Sequence, residues 1–211
     1  EVETGTIPQV SFTKRDLYVK LGEPEKGELE ITRLLTENPS NLDFRMMVAE
    51  YYMSEQRYEE SRVLLQTVID EDPDFGQAYI MQADLLLREN YLKDSFKKLR
   101  IGFSKEDVPM ERKLELISGL MPYTSPGQPD AAFIDKGIAD LYQIIYDHDQ
   151  IHAQMHEYYG YYLLNHDSLV KAQNELTIST QINPSKYNVW VELTYADRKL
   201  AQYDKLFAHG E

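Results

Sequence analysis

Prolines recur in this chain at a spacing that strongly limits what it can fold into. Pro39 and Pro73 define one interval, and the stretch from Pro73 to Pro184 contains that interval three times with nine positions left over. A turn-rich segment of the same excess length, PYTSPGQPD at 122–130, lies in this stretch and accounts for the remainder. A fixed period of about 34 residues is typical of stacked helical hairpins. The sequence therefore predicts an all-α solenoid.

The period divides the chain into six units, and the pattern predicts helix, turn and helix in each, with apolar residues at the helical spacing. In the clearest unit, residues 42–75, Val48, Ala49 and Tyr52 form the apolar stripe of the first helix. Leu65 belongs to the stripe of the second helix. The predicted segments are an N-terminal extension at 1–7 and repeats at 8–41, 42–75, 76–109, 110–152 with an inserted loop at 122–130, 153–186 and an incomplete 187–211.

Small side chains recur at two positions of the repeat. Ala49, Ala83 and Gly160 share one position on the first helices. The matching position on the second helices is held by Gly27, Ser61, Ser95 and Ala172. Helices in contact have axes only about 8–10 Å apart. Small residues are therefore expected where the two helices of a hairpin come closest.

These residues resemble the tetratricopeptide repeat (TPR), which places aromatic residues, small residues and a final proline at fixed offsets. The resemblance covers about 200 of the 211 residues. It implies a right-handed superhelix of about five and a half hairpins. Arg45 and His156 stand where the pattern has its early aromatic residue, and the fourth unit is supported by the phase alone.

The local sequence is similar to one group within this family, the long many-repeat TPR proteins exported by Gram-negative anaerobic bacteria. The similarity lies in the runs at 20–41 and 188–206 and in the extended fourth unit. It implies a periplasmic or outer-membrane-associated location, with the cytoplasm as the alternative. Because 187–211 supplies less than a full hairpin, the chain is expected to be part of a longer array whose exposed ends can pair two copies.

Charge and composition limit the partners. The chain has 36 acidic and 22 basic residues, a net charge of −14 and no cysteine. Nucleic acids and anionic membrane surfaces require clustered Lys and Arg, so neither is an expected partner. No apolar run is long enough to insert into a membrane. Basic or amphipathic protein segments fit this acidic field better.

The candidate binding surface follows from the resemblance, because the first helix of each TPR hairpin lines the concave wall. Methionines cluster there in the second and third units, and their flexible thioethers suit adaptable apolar surfaces. Glu50 and Asp84 share one position in adjacent units and are expected to lie side by side. The predicted groove residues are Met46, Met47, Glu50, Met53, Ile80, Met81, Asp84, Tyr158, Tyr161 and Tyr195.

The sequence thus predicts a non-catalytic scaffold whose groove binds a protein segment that carries Lys or Arg. The alternative interpretation of the same residues is that the methionines fill gaps between helices and the acids keep the face soluble. Self-association, or a spacer role within a larger envelope assembly, also fits an array with exposed ends. A carbohydrate-binding module would use the groove tyrosines, and a metal-binding module would use histidines.

Catalysis and bound cofactors are not expected. The sequence has no phosphate loop, serine elbow or dinucleotide glycine fingerprint. Histidines recur in HDQIHAQMH at 148–156, but the repeat phase puts a hairpin junction near 149–153 and leaves only His152 and His156 on one helix. These histidines are expected to be solvated at an inter-repeat turn rather than to bind a metal.

Overall fold

The structure is a computed structural model that describes residues 7–148 and 151–201. Within these ranges every regular element is a helix, as the proline period predicts. The chain divides into two compact units, one ending at Asp107 (unit 1) and one beginning at Val108 (unit 2). The continuity of one solenoid over 8–211 stays a prediction, and each unit is considered by itself.

Unit 1 consists of three helical hairpins. Its helices are α1 (Pro8–Lys20), α2 (Pro24–Glu37), α3 (Leu42–Ser54), α4 (Tyr58–Glu71), α5 (Gly76–Arg88) and α6 (Leu92–Phe103). The first helices of the hairpins begin at Pro8, Leu42 and Gly76, which are separated by the same interval as Pro39 and Pro73. The core lies between successive hairpins, where Leu65 and Val68 of α4 pack in one cluster with Ala78 of α5.

Unit 2 contains a less regular hairpin and a regular one. Its helices are α7 (Met110–Leu120), α8 (Ala131–His148), α9 (Ala153–Asn165), α10 (Leu169–Ile182) and α11 (Tyr187–Lys199). A 3-10 turn over Met121–Thr124 extends α7, so the proline-rich stretch is in part helical before the chain reaches α8. α8 has 18 residues, whereas α10, the other second helix of the unit, has 14.

The turn inside each regular hairpin has one recurrent backbone feature. Gly22, Gln56, Asn90 and Asp167 have φ between 51° and 76°, and each follows the first helix of its hairpin at the same repeat position. The next residue donates its N–H back into the helix, as Arg57 does to the Tyr52 carbonyl at 2.8 Å. This left-handed residue and its backward bond form a Schellman-type end. Of the four, only Gly22 has the residue type that most readily adopts this conformation.

Small residues lie where the hairpin helices approach, as the sequence predicts. A Cβ on Gly27 would lie 3.1 Å from the Arg15 carbonyl oxygen, and a Cβ on Gly160 would lie 2.7 Å from Leu176. Ser95 is fully buried and donates its hydroxyl to the Ala83 carbonyl at 2.9 Å. These positions set how closely the two helices of each hairpin can pack.

The burial of several tyrosines makes the stability of the fold depend on pH in the alkaline range. Burial, followed by the nearby Glu28 carboxylate, raises the pKa of Tyr51 to about 12. Burial also raises the pKa of Tyr142, which is fully shielded from solvent, and of Tyr162. A tyrosine in the unfolded chain ionises near pH 10. Above that pH the unfolded state releases protons that the native state keeps, so these residues' contribution to stability is lost as pH rises.

We therefore expect stability to fall above about pH 10, with the fully buried Tyr142 alone contributing a slope of up to about 1.4 kcal/mol per pH unit. Urea unfolding followed by circular dichroism over this range measures the slope. The Tyr142→Phe variant is expected to show a shallower fall. Equal slopes for the two proteins would contradict the prediction.

Candidate functional site

Unit 1 brings one part of the predicted groove together on two neighbouring helices. α3 and α5 contact each other, and each presents a methionine and, three positions later, an acid. Met47 and Met81 are half-buried, whereas Glu50 and Asp84 are exposed. The two pairs are one repeat period apart and therefore occupy equivalent register positions. We call these four residues the Met–acid face.

Three predicted groove residues are packing residues instead. Met46, Met53 and Ile80 are only 8%, 5% and 7% exposed. Met46 lies in the core cluster that also contains Leu65 and Tyr79. The two first helices pack on one another and on the second helices, so these positions are turned inward. For Met46 the gap-filling alternative was the better interpretation.

The charges of the Met–acid face differ in how far they are neutralised. Asp84 accepts a hydrogen bond from Arg88 one turn later on α5, at 3.2 Å, with both side chains half exposed. Glu50 makes no ion pair with any other described residue. A third exposed acid, Asp16 on α1, occupies the same register position one period before Glu50. Asp16 was not among the predicted groove residues, although the repeat period alone is enough to identify it.

The predicted tyrosines of unit 2 lie on α9 and α11, two helices that contact each other. Tyr158 and Tyr161 on α9 are half-buried, and Tyr195 on α11 is 38% exposed. Tyr161 packs against the cluster of Leu176, Val189 and Leu193. Much of its ring therefore stabilises unit 2 rather than presenting a surface.

A buried acid links Tyr161 to the start of α11. Glu157 is 8% exposed, accepts the Tyr161 hydroxyl at 3.4 Å and forms an ion pair with Lys186 at 2.6 Å. Burial, followed by the Glu157 carboxylate, raises the pKa of Tyr161. This group of residues is a structural link between α9 and α11, because Glu157 already binds both the tyrosine and the lysine.

Tyr195 has a different environment from the acids of unit 1. The Arg198 guanidinium lies 5.7 Å and the Lys199 ammonium 5.5 Å from the centre of its ring. Cations at this distance are attracted by the ring's negative face. The surface of α11 is therefore aromatic and basic, whereas the Met–acid face is apolar and acidic.

The structure shows the environments of the histidines around α9. Contrary to the expectation of solvated side chains, His156 is 1% exposed, and its Nδ1 lies 2.6 Å from Glu175 Oε2 on α10. Tyr146 packs edge-on against its ring at 6.1 Å. His152 precedes α9 as its N-cap residue. Among the described residues, no group of three or more His, Cys, Asp or Glu side chains is placed to hold a metal ion.

No helix within the described ranges is both long and apolar enough to cross a membrane.

Comparison with known proteins finds similarity in structure only. No family model and no curated protein matches the sequence. Among solved structures, the chain is similar to the MamA protein at 11% identity and a TM-score of 0.50, over 80% of this chain and 87% of MamA. It is also similar to YrrB, a TPR protein with an unusual peptide-binding site, at 12% identity and a TM-score of 0.50, over 85% and 88% of the two chains. The all-α fold of the chain is therefore that of TPR solenoid proteins.

Proposed function

We propose that the chain is a non-catalytic protein-interaction scaffold and that the Met–acid face of unit 1 binds a basic or amphipathic segment of a partner protein. The observation that supports this proposal most is the repetition of an exposed acid beside a half-buried methionine on two contacting helices. The pairing of Met47 with Glu50 recurs as Met81 with Asp84. An extended or helical ligand that runs across α3 and α5 meets the same pair twice.

The chemistry of this face suits such a ligand. A methionine side chain adapts its shape to an apolar group, because its three torsions rotate freely and its sulfur is polarisable. Glu50 has no competing cation among the described residues, so a Lys or Arg from a partner can pair with it without displacing an internal bond. The net charge of −14 also draws basic segments toward the chain. YrrB, a TPR protein with an unusual peptide-binding site, offers a precedent on this fold.

The proposed setting is a larger assembly at the bacterial envelope. The support is the resemblance of the runs at 20–41 and 188–206 to exported many-repeat TPR proteins. Fractionation of the native organism, with the chain followed by antibody, tests the location. Recovery in the cytosol alone would contradict it.

The binding proposal is tested by reversing the charges of the face. We expect the variant Glu50→Lys, Asp84→Lys to lose at least about tenfold in affinity for a captured partner, because two like-charge contacts replace two attractive ones. The partner is first captured from native extract, identified by mass spectrometry and then titrated in purified form.

A matched control carries the same change of charge elsewhere. Glu59→Lys with Asp70→Lys alters exposed acids of α4 that lie outside the Met–acid face. Circular dichroism confirms that both variants keep their helices. Equal affinity of the two variants for the partner would overturn the proposed face.

A further inference from the structure

Polar side chains link successive hairpins of unit 1 at one repeat position. Glu28 of α2 accepts the Tyr51 hydroxyl of α3 at 3.2 Å and pairs with Arg57, just beyond α3, at 2.6 Å. One period after Glu28, Arg62 of α4 pairs with Glu89, just beyond α5, at 2.6 Å. In both cases the second helix of one hairpin is joined to the first helix of the next hairpin, or to the turn that follows it.

Unit 2 has the same link with a different kind of cation. Asp135 of α8 accepts the Tyr162 hydroxyl of α9 at 2.9 Å, and its Oδ1 atom lies 2.7 Å from Nε2 of His166, which directly follows α9. Tyr162 holds the repeat position of Tyr51, and His166 holds that of Glu89. The link between α8 and α9 therefore lies where the links of unit 1 lie, but its cation is a histidine, whose charge can change near neutral pH.

The surroundings of the His166 ring suit its charged form. Nδ1 lies 2.7 Å from the Tyr162 carbonyl oxygen, and Nε2 faces the Asp135 carboxylate. Both oxygens only accept hydrogen bonds, so each ring nitrogen has to carry a hydrogen, and only the protonated imidazole has two. The Tyr162 ring, with its centre 4.2 Å from that of the imidazole, is the other titratable group against it. His166 makes no further ion pair or ring contact with a described residue.

We propose that His166 makes the junction of α8 and α9 sensitive to pH, because the cationic ring satisfies both acceptors whereas the neutral ring has one hydrogen for the two. A histidine in the unfolded chain loses its proton near about pH 6.5. The link favours the protonated ring, so its contribution to stability is fully present below that pH and is lost as pH rises above it. An arginine paired with a glutamate, as in the link of Arg62 with Glu89, keeps both charges over this range. This junction is separate from the Met–acid face, so either proposal can fail without the other.

Urea unfolding of the full chain and of its His166→Gln variant, at about pH 5.5 and about pH 8.5, tests the link. Glutamine keeps a polar side chain but cannot take up a proton, and the comparison of the two proteins cancels the contributions of the other histidines. The folding equilibrium constant of the parent, relative to that of the variant, is expected to fall about threefold from the lower to the higher pH. The change is modest because both side chains of the pair are about one third exposed, at 33% and 34%, and solvent screens their charges.

Two further variants separate the charge from the shape of the ring. His166→Arg supplies a permanent cation opposite Asp135, and relative to His166→Gln its stability is expected to be the same at both pH values. In an Asp135→Asn background, His166→Gln is expected to have an effect that does not change with pH. Nitrogen NMR of the His166 ring gives a readout without unfolding, since the ring is expected to lose its second proton at a lower pH in Asp135→Asn than in the parent. A parent-to-variant ratio that is constant with pH, or equal titration of the ring in the two proteins, would overturn the proposal.

Discussion

Replacing Gly160 by leucine is expected to destabilise unit 2 by about 3 kcal/mol, because the added side chain overfills a closed interface. A Cβ at this position would lie 2.7 Å from both Cγ and Cδ2 of Leu176. Leu176 is itself fully buried, so it has no open space into which to move. Gly160 lies on α9 and Leu176 on α10. A larger side chain at this contact therefore pushes the two helices of the hairpin apart.

Thermal unfolding followed by circular dichroism measures the effect, and Gly119 supplies a control. Gly119 lies on α7, and nothing described stands within 4 Å of a Cβ built there. Gly119→Leu makes the same chemical change in open space and replaces a poor helix former by a good one. We expect this variant to be at least as stable as the parent chain. Similar losses in both variants would show that packing against Leu176 is not the cause.

Replacing Glu175 by alanine is expected to cost about 3 kcal/mol, because it removes the hydrogen-bond partner of the buried Nδ1 atom of His156. His156 Nδ1 lies 2.6 Å from Glu175 Oε2, with exposures of 1% and 13% for the two side chains. The ring cannot regain a bond to water without opening the contact between α9 and α10. By comparison, Glu59→Ala removes an ion pair with Arg62 whose acid is 78% exposed, and a loss below about 1 kcal/mol is expected there.

A double variant separates the hydrogen bond from the space that it fills. His156→Phe with Glu175→Leu replaces the pair by apolar groups and restores the aromatic residue of the TPR pattern. Apolar replacement of a buried pair is often neutral or stabilising, so we expect most of the lost stability to return. Denaturant unfolding of His156→Phe, Glu175→Leu and the double variant measures the coupling free energy between the two residues. Additive losses would contradict the prediction.

The structure gives a physical reason for the two positions, Arg45 and His156, at which the aromatic residue of the repeat pattern is missing. At both positions where the aromatic residue is missing, the first helix carries a polar side chain that pairs with an acid of the second helix. Arg45 pairs with Glu71 at 2.7 Å, and His156 pairs with Glu175. An ion pair or a hydrogen bond thus joins the two helices at the position where the TPR pattern has an aromatic residue. The sequence shows the substitution but not the partner, because Glu71 and Glu175 stand at different distances along the chain from Arg45 and His156.

For the candidate site, too, the sequence predicted some features and not others. The register alone identified Glu50 and Asp84 as equivalent, because a repeated sequence position repeats its environment. It did not separate Met47 and Met81, which are half-buried, from Met46, which is in the core. Neighbouring residues on a helix differ by about 100° in direction. The angle at which α3 meets α5 decides which of them is covered.

The sequence by itself determined the all-α fold, the hairpins and the phase, since a fixed repeat period and helical apolar stripes depend only on order along the chain. The tertiary structure alone decided which side chains meet. It turned Met53 and Ile80 inward and enclosed His156. These outcomes depend on contacts between residues that are distant in the sequence. A polar or apolar side chain is stabilised only by the neighbours that the fold supplies, so packing decides which side chains are buried.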